Sequence, residues 1–399
     1  MTMYEHPEIV SWNVTNACNL HCAHCYLDAG VVRKGELSTE ECYRVIDEMS
    51  ELGTEMVIIT GGEPLLRRDL LAIVSRTRKQ GIMTVMGSNG TLLSDGIAGT
   101  LKEAGLQGVA ISLDSLQAEK HDEFRGINGC WESAIAGMRC CLKQGLPVIV
   151  QTTLTSWNYQ EVPTLIEFAQ DLGATAFNLY YLVCTGRGEQ LADISPQQYE
   201  ESMASLVDAQ ALHPSIMVRA KCAPQVARIA RQRGLPVAGG GCPAGTRYLR
   251  IDPDGQVTPC PYLPLVAGSV RETSLRDIWE RSIIFQQLRS HGLAGRCGVC
   301  NYREICTGCR ARAFALTGDY LGEDPWCLYQ SVAASYASSP QITWTAEAQT
   351  TLQKVPAFVR TRVKLAVEGY ARDRGHSVVT ADLMTEVRSF IGGKIHRTH

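Results

Sequence analysis

The run Cys18-Asn19-Leu20-His21-Cys22-Ala23-His24-Cys25 sets three cysteines in the spacing C-x3-C-x2-C, and the next cysteine, Cys42, lies well downstream in a predicted helix. Three thiolates on so short a loop can each hold one corner of a cubic [4Fe-4S] cluster, which normally takes four cysteine ligands. One iron is then left without a protein ligand, free to bind a small molecule and pass it an electron. The alternative is a structural zinc site with a distant fourth ligand, His21 or His24 being at hand.

Outward from this loop, residues 11 to 185 alternate short apolar runs with amphipathic stretches. The runs lie at 12–15, 56–60, 82–87, 107–113, 147–153 and 175–182. They are short and often β-branched, as buried parallel strands are. Between the first two, Ser38 and Glu41 form a capping box, Val45, Ile46, Met49 and Leu52 make one stripe, and Gly53 supplies the stop. Similar segments end at Gly81, Gly105, Gly145 and Gly173. Six such units predict an α/β fold, a partial (β/α)6 barrel with its helices outside; a doubly wound open sheet is the alternative.

Such folds put their chemistry on the loops that follow the strands. Here those loops carry the cysteines, then Thr60-Gly61-Gly62-Glu63-Pro64, then Ser88-Asn89-Gly90, then Ser112-Leu113-Asp114, with Gln151 and Thr153 ending the fifth run. The two glycines let backbone approach a ligand closely, and Glu63 can accept from an ammonium group. Each loop alone also reads as an ordinary turn. Their coincidence at one end of successive strands is the informative feature.

Over residues 9–215 the chain resembles the radical S-adenosylmethionine (SAM) enzymes. The resemblance implies that Cys18, Cys22 and Cys25 hold a [4Fe-4S] cluster and that SAM chelates its open iron. It implies that Gly61, Gly62 and Glu63 meet the SAM amino group, with Ser88, Asn89, Ser112 and Asp114 as contacts to ribose or carboxylate. Arg125, in His121-Asp122-Glu123-Phe124-Arg125-Gly126, is a candidate carboxylate partner, or else one half of a surface ion pair. Many members carry an aromatic residue before the third cysteine, where this chain has His24. The implied chemistry is reductive cleavage of SAM to methionine and a 5′-deoxyadenosyl radical, which takes a hydrogen atom from substrate. An external donor such as a ferredoxin or flavodoxin would supply the electron.

Net charge is -3, so no broad basic field suits nucleic acid. No apolar run approaches the roughly 18 residues of a membrane span, and the first residues lack the layout of a signal peptide. The chain therefore reads as cytosolic, and its 16 cysteines as metal ligands or small buried residues rather than disulfides. A second field holds Cys242, Cys260, Cys297, Cys300, Cys306, Cys309 and Cys327, with Asp252-Pro253-Asp254-Gly255 as a hairpin turn between two strands and a capped helix over 273–279. Two C-x2-C pairs suit a zinc ribbon on spacing alone, but seven cysteines exceed one tetrahedral site; Cys222 is the obvious extra ligand for a second.

This field, residues 216–330, resembles the SPASM extension, which holds one or two auxiliary [4Fe-4S] clusters. By that resemblance Cys297, Cys300, Cys306 and Cys327 bind the outer cluster. Cys242, Cys260 and Cys309 bind the inner one, which either takes Cys222 as its fourth ligand or stays open. Residues 331–345 read as a linker. Residues 346–399 read as two or three helices with Val359, Val363, Val367 and Tyr370 on one stripe, and resemble a small domain of light-independent protochlorophyllide reductase. The stretches at 182–188, 258–279 and 309–327 look like radical SAM enzymes of alternative haem and haem d1 synthesis, and less closely like peptide maturases. The favoured substrate is a tetrapyrrole, the favoured reaction oxidative decarboxylation of a propionate, with Arg187, Arg219 and Lys221 as candidate carboxylate partners.

Overall fold

The structure, a computed structural model, describes residues 4–191, 194–237, 241–290, 292–330 and 342–355, and beyond them 360, 363–364, 367–368, 370–371 and 374–387. Strands β1 (Ile9–Asn13), β2 (Met56–Thr60), β3 (Met83–Ser88), β4 (Val109–Ser112), β5 (Val148–Leu154) and β6 (Ala176–Tyr181) pair in chain order, all parallel. A doubly wound sheet reverses its strand order at a switch point. This one does not, so the partial barrel is the fold.

Helices α1 (Thr39–Leu52), α2 (Leu70–Lys79), α3 (Asp95–Ala104), α4 (Ala118–Arg125), α5 (Cys130–Lys143) and α6 (Val162–Leu172) fill the connections. The Ser38 capping box forms, and Gly53 closes α1 at φ 91°, a left-handed conformation that glycine adopts without strain. Period two then sorts the strand residues. Val10, Trp12, Val57, Ile59, Val109, Ile111, Val148 and Val150 are buried in one core with Val45, Ile46 and Met49 of α1. Their neighbours Ile58, Thr60, Ala110, Ser112, Gln151 and Thr153 are only half-buried on the opposite, inner face.

Two further pieces extend the sheet. After α7 (Pro196–Leu212), β7 (Met217–Lys221) adds parallel to β6. On the other side β8 (Tyr248–Ile251) adds parallel to β1, followed antiparallel by β9 (Gln256–Thr258) and β10 (Gly268–Ser269). The turn expected at Asp252–Gly255 joins β8 and β9. The order is β10-β9-β8-β1-β2-β3-β4-β5-β6-β7. The cysteine-rich region thus shares the barrel's sheet. α8 (Val226–Gln232), α9 (Leu275–Arg281), α10 (Ile283–Arg289), α11 (Gly295–Gly298) and α12 (Arg310–Thr317) complete it, with Ser274 capping α9.

Near the C-terminus, two-residue strands at Thr343–Trp344 and Val378–Val379 pair in parallel, and the helix Ala346–Gln353 follows the first. Val363 and Tyr370 pack against a small core with Val367, Leu352, Ala348 and Leu383. Val359, residues 331–341 of the expected linker and 388–399 of the expected helical domain lie outside the described residues. No helix among the described residues is long and apolar enough to cross a membrane.

Candidate active site

The cysteine loop leaves β1 and is clamped from three sides. Cys18 N–H donates to Gly30 O (2.9 Å) and Gly30 N–H to Asn16 O (3.0 Å), closing it on itself. The end of α4 receives it through His21 N–H to Arg125 O (3.1 Å) and Ala23 N–H to Phe124 O (3.0 Å). Arg187 donates from Nε to Cys22 O (2.9 Å) and from Nη1 to Asp28 Oδ1 (2.8 Å) and Ala29 O (3.0 Å). Expected as a substrate partner, Arg187 is spent on the loop instead.

Each of the three sulfurs faces a donor. Leu20 N–H points at Cys18 Sγ (3.5 Å), Ala29 N–H at Cys25 Sγ (3.5 Å) and Arg125 Nη1 at Cys22 Sγ (3.7 Å). Burial pushes the Cys18 thiol up to about 11 and raises Cys22 against the pull of Arg125. Thiols so placed ionise when a metal supplies the compensating charge, and N–H···S bonds are among the contacts that tune iron-sulfur clusters. The donor set fits a cluster. His24 stacks on Phe124 at 4.3 Å between ring centroids, and burial, with Arg125 adding to it, lowers its pKa to about 3. A neutral imidazole thus fills the position the family gives to an aromatic.

The glycines after β2 are needed for close approach. Gly61 and Gly62 lie against the backbone that leads into the cysteines: an added Cβ would fall 2.4 Å from Thr15 O at Gly61 and 2.1 Å from Ala17 O at Gly62. Gly62 N–H donates to Thr15 O (2.8 Å) and Glu63 N–H to Ala17 O (2.7 Å). The Glu63 carboxylate is fully buried and accepts from Ser88 Oγ (2.9 Å), Asn89 N–H (2.8 Å) and Leu65 N–H (3.2 Å), while burial raises its pKa to about 7. Asn89 Nδ2 reaches Asn19 Oδ1 (2.8 Å) inside the cysteine loop. Gly61, Gly62, Glu63, Ser88, Asn89 and the cysteines are thus one connected body.

Ser112 ends β4 on the inner face, opposite Gln151. Asp114 is fully buried; burial pushes its carboxyl up, but the Arg125 charge and the Thr153 N–H hold it below its ordinary value. Arg125 grips it from Nε (2.7 Å) and Nη2 (2.6 Å), and Thr153 N–H donates to Oδ1 (2.8 Å). Arg125 is therefore a buried link between Asp114 and Cys22, an ion pair of the interior rather than of the surface.

The inner face also holds residues that the sequence did not single out. Asn13 Nδ2 donates to the hydroxyl of Tyr26, next to Cys25, at 2.9 Å. Arg250 of β8 donates from Nε to Asn13 Oδ1 and lies over the Tyr26 ring at 5.7 Å. Tyr262 meets Tyr26 edge-on at 5.1 Å, and Tyr180, Tyr26 and Tyr248 are close enough to Tyr262 to raise its hydroxyl pKa, already lifted by burial. Lys221 ends β7; burial, then Arg219, lowers its pKa. Arg219 is exposed, its Nη2 on Met217 Sδ (3.0 Å). Nothing local marked Arg250, because its place depends on β8 joining β1.

The second cysteine field forms two groups. Cys297, Cys300, Cys306 and Cys327 line one cavity with Arg228 and Arg296. Cys222, Cys242, Cys260 and Cys309 form the other: burial and then Cys242, Cys309 and Cys222 raise the Cys260 thiol, and Cys309 and Cys242 add to burial at Cys222. Cys222 has φ 60°, an uncommon left-handed backbone for a residue with a side chain. Arg312 Nη1 donates to its carbonyl (3.1 Å). Asp324 joins the groups: its N–H points at Cys297 Sγ (3.5 Å) and its Oδ2 accepts from Cys309 N–H (2.8 Å). The cysteines thus divide in space as they were grouped in the sequence, with Cys222 on the side of Cys242, Cys260 and Cys309. Of the scattered cysteines, Cys42, Cys130 and Cys141 are buried; Cys42 Sγ accepts from Arg67 Nη2 (3.2 Å) and Cys130 Sγ donates to Asp122 Oδ1 (3.1 Å), so only Cys141 reads as a small apolar residue.

Comparison with known proteins agrees with this geometry. Residues 12–169 match the Radical SAM superfamily, 242–310 an iron-sulfur cluster-binding domain, and 344–388 the proto-chlorophyllide reductase 57 kD subunit. The chain is 38% identical to the AdoMet-dependent heme synthase of Methanosarcina barkeri, over 83% of this chain and 99% of that protein. It is 33% identical to the pre-heme d1 synthase of Dinoroseobacter shibae (80% and 85%) and 31% to the PqqA peptide cyclase of Granulibacter bethesdensis (82% and 88%). Among solved structures, Streptococcus suis SuiB bound to S-adenosylmethionine shares the fold with a TM-score of 0.69 at 17% identity, over 82% of this chain and 78% of that one.

Proposed function

Because the chain belongs to the radical SAM superfamily, an enzyme with a SAM-binding [4Fe-4S] cluster and a cluster-binding SPASM domain, we propose that it oxidatively decarboxylates propionate side chains of a haem-type tetrapyrrole. The observation that carries this reading is the inner face beside the cysteine loop. Two cations, the buried Arg250 and the half-buried Lys221, stand there with the tyrosines Tyr26, Tyr180, Tyr248 and Tyr262, a lining that suits a flat aromatic ligand bearing carboxylates. The similarity to heme synthases supports it.

Cys18, Cys22 and Cys25 would hold the SAM-binding cluster, which with SAM supplies a 5′-deoxyadenosyl radical. Glu63, Ser88 and Asn89 position the SAM amino end, with Gly61 and Gly62 keeping that loop against the cysteines; Ser112 and Asp114 shape the far side. Tyr26 and Asn13 wall the inner face beside Cys25 and keep water from the reacting carbon. Cys297, Cys300, Cys306 and Cys327 hold one auxiliary cluster; Cys222, Cys242, Cys260 and Cys309 hold the other. For each propionate, one hydrogen atom leaves the β-carbon, carbon dioxide departs and one electron passes to an acceptor, leaving a vinyl group. The inner cysteine group, beside Tyr262, is suited to house that acceptor. A cytosolic ferredoxin or flavodoxin would supply the reducing electron.

The test is anaerobic turnover with dithionite, SAM and iron-coproporphyrin III. Expected are 5′-deoxyadenosine and porphyrin products lighter by carbon dioxide and two hydrogens per propionate. Deoxyadenosine with an unchanged porphyrin would overturn the substrate. The similarity to a peptide cyclase favours a second reading, modification of a ribosomally made peptide, which predicts binding of a leader peptide and none of the porphyrin.

A further inference from the structure

Arg250 is an anomaly among the buried cations. It is 6% exposed, yet it forms no ion pair among the described residues, and its one hydrogen bond there is from Nε to Asn13 Oδ1. The other buried arginines spend their donors: Arg125, Arg228 and Arg312 pair with Asp114, Glu200 and Asp324, and Arg310 donates to the carbonyls of Tyr320 and Gly322 and toward Cys297 Sγ. The nearest acid in sequence, Asp252, feels the Arg250 charge but forms no ion pair with it; its Oδ1 accepts from Gln256 N–H at 2.9 Å. A buried guanidinium without a counter-charge is costly unless a ligand supplies one.

The fixed Nε sets the direction of the remaining fork. Asn13 is itself held by Tyr26, so the Arg250–Asn13–Tyr26 chain runs from β8 across β1 to the residue beside Cys25. Nη1 and Nη2 are left as a bidentate donor, the geometry that matches a carboxylate. We infer that Arg250 anchors a carboxylate of the substrate on the inner face, between the Cys18–Cys25 loop and the Cys222 group, and so decides which side chain is presented to the radical. This assignment rests on the tetrapyrrole reading and names the residue that recognises the propionate.

The test is binding, read by the shift of the porphyrin's absorption band on titration, for the whole protein and its R250Q and R250K variants. The probes are iron-coproporphyrin III and its tetramethyl ester, which keeps the ring but has no carboxylate. The wild type should hold the ester, which lacks every carboxylate, at least about 10-fold more weakly than the acid. R250Q, which loses one charge-assisted pair, should bind the acid about 10- to 100-fold more weakly than the wild type does, and R250K should fall between. Thermal melting and cluster absorbance report whether each variant folds; if R250Q does not, the ester comparison on the wild type and the R250K titration decide. Equal wild-type affinity for acid and ester, or a folded R250Q with wild-type affinity, overturns the anchor alone. A wild type that binds neither porphyrin overturns the tetrapyrrole reading, and the anchor with it.

Discussion

Arg125 reaches Sγ of Cys22 at 3.7 Å from Nη1 while its Nη2 lies 2.6 Å from Asp114. A cluster ligand and the carboxylate after β4 therefore share one guanidinium, and all three groups are buried. Replacing Arg125 by Met strands the Asp114 charge. The expected loss is about 3–5 kcal/mol of stability in denaturant unfolding of the cluster-loaded protein. Adding Asp114→Asn should return a large part of it; a double variant no more stable than R125M would show that the pair is not what matters.

Ligand replacement should separate the iron sites. Cys22→Ala should abolish deoxyadenosine formation and remove about four iron atoms per chain. Cys222→Ala and Cys306→Ala should each lower iron to a similar extent while SAM cleavage continues, since neither cysteine lies in the SAM-site loop. Iron analysis and chromatography of the nucleoside products check this. Unchanged iron in C222A would leave the inner set with three ligands.

Gly62 tests the seam between two loops. An alanine Cβ there would sit 2.1 Å from Ala17 O, which is backbone and cannot swing aside. G62A should push the cysteine loop off the sheet and lose the SAM-site cluster, seen as weaker absorption near ~400 nm, the thiolate-to-iron region. The C222A protein is the control that loses iron elsewhere.

Glu63 should couple SAM binding to pH. Its carboxyl is raised from 4.5 to about 7 by burial. Without ligand, folding is unaffected by this group below its unfolded pKa and loses stability as pH rises toward 7, by about 3 kcal/mol in all, beyond which the loss is constant. An ammonium brought to Glu63 reverses the sign by favouring the carboxylate. SAM affinity should therefore increase from pH 6 to pH 8, with proton release in calorimetry below pH 7. E63Q should bind more weakly and show a flat profile over that range; a wild-type profile already flat would remove Glu63 from the amino site.

Much of this architecture was legible because it is local. Runs such as Met56–Thr60 and caps such as Ser38 and Gly53 carry their own period and turn chemistry. The cysteine groups were legible because metal ligation imposes spacing. What escaped depends on long-range pairing. β8 joins β1 across more than 230 residues, and only that register puts Arg250 beside Asn13. Arg187 was expected at a substrate carboxylate, and Arg125 at a carboxylate or in a surface ion pair, because sequence does not show which carbonyl or buried carboxylate a guanidinium will meet. The two-residue strands near the C-terminus are too short to leave a periodic trace.

Cys222 follows β7 and Cys260 follows β9, so the inner quartet draws its members from opposite margins of an unclosed sheet. Iron bound there would act as a clasp on the chamber as well as an electron sink. Oxygen damage to that one centre would then slacken the vessel and remove the oxidant together, so that a protein unable to finish the reaction would also lose its grip on the molecule it was about to attack.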